Sequence, residues 1–125
     1  MKYIKIPAPV LLTDPLTDLP MRFPHPESGE MLIKNISFQE FMFQSVLSDE
    51  KHFGGNLDLI EQCMKIRTAI REAVKGNGIL ELEDADYKLF LEAIRHPSKG
   101  YQPAVVCQCL VFTEAVKNAA SAALN

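Results

Sequence analysis

Apolar residues in the first third of the chain are scattered among prolines, whereas from Ser37 onward they recur at intervals of three and four. That change of pattern predicts an extended N-terminal segment, residues 1–36, followed by a helical domain, residues 37–125. Lys2-Tyr3-Ile4-Lys5-Ile6 is short and β-prone, and Glu30-Met31-Leu32-Ile33-Lys34-Asn35-Ile36 is its expected antiparallel partner. Between them, Pro7, Pro9, Pro15, Pro20, Pro24 and Pro26 forbid a sustained helix. This segment is therefore read as a β-hairpin or a proline-rich arm, with residues 10–29 expected to be mobile in the isolated protein.

Ser37-Phe38-Gln39-Glu40 reads as a capping box that opens a first helix. Phe38, Phe41, Met42 and Val46 form its apolar face, and it is expected to stop near Ser48 or Asp49, before a loop over Lys51-His52-Phe53-Gly54-Gly55 whose Phe53 packs back. Asn56 caps a second helix with the stripe Leu59, Cys63, Ile66, Ile70 and Val74, flanked by Leu57, Ile60 and Met64. Gly76-Asn77-Gly78 ends it, and Ile79-Leu80-Glu81-Leu82 follows as a short extended piece.

Glu83, Asp84 and Asp86 place negative charge at the start of a third helix, with Tyr87, Phe90, Leu91 and Ile94 on its buried face and an end no later than His96. Pro103 suits the first turn of a fourth helix running to about Ala122. Val106, Cys109, Leu110, Thr113 and Val116 make its core face, leaving Val105 and Phe112 as surplus apolar surface, and Ser121 to Asn125 are expected to fray. The fold class expected is mainly α, about four helices, with a minor β component.

Composition narrows the function. With 125 residues, 47% hydrophobic and 23% charged, the chain is sized for one globular domain. A net charge of −3 supplies no excess of positive charge for a nucleic-acid backbone or an anionic membrane, so neither is expected as a partner. No apolar run reaches the ~20 residues that span a bilayer, and the start of the chain lacks a signal-peptide stretch, which points to the cytoplasm.

Chemistry-bearing motifs are sparse. Cys63, Cys107 and Cys109 lack zinc-site spacing, and the last two project about 200° apart on a helix, so reduced structural thiols are expected. The acids Glu81, Glu83, Asp84 and Asp86 lack the spacing of a calcium loop, and His25, His52 and His96 lie in separate turns without a nucleophile signature. No catalytic residue, metal or cofactor is expected. On the second helix, Arg67, Arg71 and Lys75 recur every four residues along one face, and Phe43 points away from the face shared by Phe38, Phe41 and Met42. Partner binding is therefore assigned to Phe43, Val105, Phe112, Arg67 and Arg71, toward another protein or a second copy of the chain.

The order of elements carries a resemblance. A β-prone start, a proline-broken arm, Ser37-Phe38-Gln39-Glu40-Phe41, Gly54-Gly55-Asn56-Leu57, Leu80-Glu81-Leu82-Glu83-Asp84-Ala85-Asp86-Tyr87 and Tyr101-Gln102-Pro103-Ala104 together resemble small tailed-bacteriophage morphogenesis proteins of the tail assembly chaperone type. The resemblance implies a mostly helical protein without catalytic residues or cofactors, which holds a helical scaffold or tail-tube protein during assembly in the host cytoplasm. The proline-rich arm would equally suit a head–tail connector or baseplate subunit. An inhibitor of a host defence or nucleic-acid complex is a second class, and an enzyme with a pocket built from scattered residues is a third.

Overall fold

In the computed structural model, which describes residues 1–14, 16–47, 56–96 and 103–121, the chain begins with five short strands. These are β1 (Lys2–Lys5), β2 (Val10–Leu11), β3 (Arg22–Pro24), β4 (Met31–Ile33) and β5 (Asn35–Ile36). Helix α1 (Phe38–Phe41) runs directly into a π-helical turn (Met42–Val46). Then come α2 (Leu57–Lys75), β6 (Ile79–Leu82), α3 (Asp84–Ile94), α4 (Pro103–Gln108) and α5 (Leu110–Lys117). The protein is mainly α with a smaller β component. The loop expected over 51–55, the first helix's stop near Ser48 or Asp49, and the tail beyond Ser121 lie outside the described residues.

Strand β1 pairs antiparallel with β6, with Ile4 opposite Leu80, rather than with the 30–36 segment expected from the sequence. The reason is burial. In β6, Leu80 and Leu82 alternate inward to meet Ile4 in the core, whereas residues 30–35 lie outside it, exposed on both faces. On its other edge Tyr3 exchanges reciprocal backbone hydrogen bonds with Ala120, both 2.9 Å, so β1 is stitched between the middle and the end of the chain. The arm folds on itself instead, with β2 pairing β5 and β3 pairing β4. Leu12 and Ile36 anchor it in the core.

The Ser37 Oγ accepts from the Glu40 N–H at 3.1 Å, as a capping residue should. The Glu40 carboxylate, however, pairs with Lys34 at 2.8 Å. Phe38 and Phe41 then meet Phe112 with ring centroids 5.8 and 5.7 Å apart, the first pair edge-to-face. This aromatic cluster joins α1 to α5 at the centre of the core.

On α2 the buried side is Cys63, Ile66, Ile70 and Ala73, with Leu59 half-buried, so the stripe ends on Ala73 rather than the expected Val74. Gly76 and Gly78 close the helix by donating to the carbonyls of Glu72 and Ala73, both at 2.9 Å. Lys65 reaches Asp86 of α3 at 3.7 Å. The single fourth helix expected from the sequence is two helices: at Cys109 the N–H bonds three residues back, to Val106 at 3.0 Å, and this tighter turn separates α4 from α5. The inward face is Val105, Cys109, Phe112, Thr113 and Val116, because that phase buries the large Phe112 ring, and Leu110 and Val111 are left outside.

Candidate partner-binding face

Phe43 lies on the π-helical turn, where one wide turn of backbone shifts the phase of the side chains that follow it. Met42, Ser45 and Val46 turn into the core while Phe43 stays half-buried at its margin. There its ring is covered by two guanidinium groups from successive turns of α2: Arg67 lies 4.5 Å and Arg71 5.1 Å from the centroid. An aromatic face is electron-rich, so it holds and partly desolvates these cations. Neither arginine has an ion-pair partner among the described residues. The Arg67 Nε is buried without a hydrogen-bond partner, as is the Ser45 Oγ. Arg67 therefore meets the ring with its stem tucked in, and no carboxylate among the described residues pairs with its charge.

The arginines sit in the middle of a longer stripe. Leu57, Ile60, Met64, Arg67, Arg71 and Val74 follow a 3-4-3-4-3 spacing, which keeps them within about 100° of the helix circumference over roughly 26 Å. All four apolar members are exposed, from 41% at Ile60 to 67% at Leu57. Ile60 and Met64 also border an open groove of about 460 Å³ whose floor includes Thr68 and the half-buried Ala69. Thus α2 has two apolar faces. One is packed against the rest of the fold and the other is bare, with positive charge at its centre.

Cys63, one turn before Arg67, donates its thiol to the Leu47 carbonyl at 3.4 Å. Burial pushes this thiol up in pKa more than the nearby Arg67 charge pulls it down, so it stays protonated and is no nucleophile at neutral pH. Among the described residues no three His, Cys, Asp or Glu side chains gather as metal ligands, and no helix is long and apolar enough to cross a membrane.

Of the five residues assigned to partner binding from the sequence, the fold brings Phe43, Arg67 and Arg71 together. It withdraws the other two. Phe112 is completely buried against Phe38 and Phe41, and Val105 is 7% exposed, so neither presents a surface. The expected core face shares Cys109, Thr113 and Val116 with the observed one but places Val106 and Leu110 inward, where the structure buries Val105 and Phe112. The bare stripe of Leu57, Ile60, Met64 and Val74 was missed as a surface, although its alternating spacing is visible in the sequence. No protein-family model matches the chain, nor does any curated protein or solved structure.

Proposed function

We propose that this chain is a non-catalytic protein-interaction factor that works through the bare face of α2, in the manner of a phage tail or virion assembly chaperone or small structural accessory. The observation that carries the reading is the pair of guanidiniums, Arg67 and Arg71, stacked on Phe43 in the middle of an exposed apolar stripe and without an ion-pair partner among the described residues. Contiguous exposed apolar surface marks interaction sites, and aromatic and arginine side chains are the groups that most often dominate binding when covered. The stripe spacing suits an elongated apolar element of a partner, and the two cations demand carboxylates in that partner at the same height. The resemblance of the sequence to tail assembly chaperones supplies the class of partner: a structural or scaffold protein of a virion.

Co-expression with tail-tube and scaffold proteins of tailed phages tests this function. The expected result is a complex that survives size exclusion and is lost on Arg67→Glu, Arg71→Glu substitution. Failure to co-elute with any of them, in a wild-type chain with an intact helical circular dichroism signal, overturns it.

A further inference from the structure

The arm carries a second bare surface, acidic at its tip. Strands β3 and β4 form a two-stranded ribbon, with Arg22 opposite Ile33, Phe23 opposite Leu32 and Pro24 opposite Met31. The turn between them is built rather than loose: the His25 N–H donates to the Glu30 carbonyl at 2.8 Å and the Gly29 N–H to the His25 carbonyl at 2.9 Å. The His25 Nδ1 accepts from the backbone of Glu27 and Ser28. Gly29 takes a φ of +72° that a larger residue would resist. This turn holds the carboxylates of Glu27 and Glu30 at the exposed tip, without ion-pair partners among the described residues. Beside them Met31, Leu32 and Ile33 are 53%, 44% and 53% exposed, three consecutive apolar residues with both faces of the strand in solvent. An uncovered apolar strand at a ribbon edge invites pairing.

The ribbon tip and the α2 stripe are therefore complementary: two carboxylates beside three bare apolar side chains, against two guanidiniums flanked by four, none of these charges in an ion pair among the described residues, with the exposed Arg22 two residues from the tip on β3. Within the chain no hydrogen bond or ion pair joins the ribbon to α2 among the described residues. We infer that the β3–β4 ribbon of one copy docks on the α2 face of a second copy, Glu27 and Glu30 meeting Arg67 and Arg71. Exchanged reciprocally between two copies, this contact closes as a symmetric dimer; made in one direction only, it closes into a larger ring or runs on as an open filament, and in each case the assembly exceeds the monomer mass. This occupant deepens the interaction reading above and rests on the same α2 face.

Light scattering coupled to size exclusion over a wide concentration range tests the inference directly on the full chain. Wild-type protein is expected to exceed the monomer mass, with association weakened by salt. Glu27→Arg, Glu30→Arg and, separately, Arg67→Glu, Arg71→Glu are each expected to raise the dissociation constant by about tenfold or more. Arg71→Glu alone, at an exposed position, gives a partial loss and guards against misfolding of the double variant. An equimolar mixture of the two double variants is the decisive arm, since each reversed surface then meets its complement and wild-type mass returns. A wild-type monomer at every concentration overturns the inference, as does association indifferent to both reversals or a mixture that stays monomeric. A monomer that still captures a virion structural protein through Arg67 and Arg71 sinks this occupant and leaves the proposed function standing. Self-assembly without any such capture does the reverse.

Discussion

Thr13 and Gln108, 95 residues apart, are joined by three hydrogen bonds. The Gln108 Oε1 accepts from the Thr13 N–H at 2.7 Å and from its Oγ1 at 3.1 Å, while the Gln108 Nε2 donates to the Thr13 carbonyl at 2.7 Å. One amide side chain thus satisfies both backbone groups of a residue in the arm, as a neighbouring strand would. With Leu12 buried next to it, this clamp fixes the root of the arm on α4 while leaving the ribbon tip exposed.

Gln108→Ala removes donor and acceptor together and leaves Thr13 with two unmet backbone groups. A loss of about 1–3 kcal/mol in unfolding free energy is expected from urea titration. Amide exchange should quicken at Thr13 while the core of α2 keeps its protection. In the wild type, slow exchange is expected at Leu12, Thr13 and their neighbours, contrary to an arm mobile throughout residues 10–29. Free exchange at Thr13 would show that the clamp does not hold in solution.

Phe112 joins α5 to Phe38 and Phe41 and is completely buried. Phe112→Ala is expected to cost about 3–5 kcal/mol, and Val105→Glu, Phe112→Glu to abolish the helical circular dichroism signal, because a charge placed there has no partner and no water. A folded monomer from the double variant would return these residues to the surface.

The contrast between α2 and the last helix shows which parts of the fold were legible in the sequence. Cys63, Ile66 and Ile70 recur in helical phase between a capping Asn56 and the Gly76-Gly78 stop, so local signals agree and the element was readable. In α4 and α5 the apolar residues Val105, Val106, Leu110, Val111, Phe112 and Val116 surround the helix, so periodicity alone cannot choose the phase. The choice falls to Phe38 and Phe41, distant residues that offer Phe112 a place to pack. Partner choice for β1 failed for the same reason, since β6 wins through long-range burial of Leu80 and Leu82. For the site, helical spacing aligned Arg67 with Arg71, but their stacking on Phe43 depends on the π-helical turn, which no residue pattern announces.

Gly78 has a φ of +76°, and its carbonyl accepts from the Ile6 N–H at 2.9 Å. An added Cβ would meet nothing within 4 Å, so the cost of Gly78→Ala is backbone strain alone. A destabilisation of about 1–2 kcal/mol is expected from denaturant titration, with the fold unchanged. A neutral or stabilising result would mean that the turn relaxes to another conformation.

The three thiols separate by burial. Cys107 is exposed and Cys63 and Cys109 are buried. Iodoacetamide at mildly alkaline pH is therefore expected to label Cys107 alone in the native protein and all three after unfolding. Burial, with a smaller push from the Glu40 carboxylate, raises the Cys109 thiol from 9.0 to about 11. Burial also raises Cys63, and it raises Tyr87, whose hydroxyl donates to the Val116 carbonyl at 2.7 Å. Each of these groups is held protonated by the fold, so above its unfolded value the unfolded chain binds fewer protons than the native one. Stability is then full below about pH 9 and falls as pH rises toward 11, with Cys109 alone contributing on the order of 2 kcal/mol once fully titrated. Urea midpoints measured across that interval should decline, and Cys109→Ala should flatten the decline while lowering the neutral-pH midpoint through the cavity it leaves. An unchanged alkaline slope in that variant would assign the loss to Tyr87 and Cys63 instead.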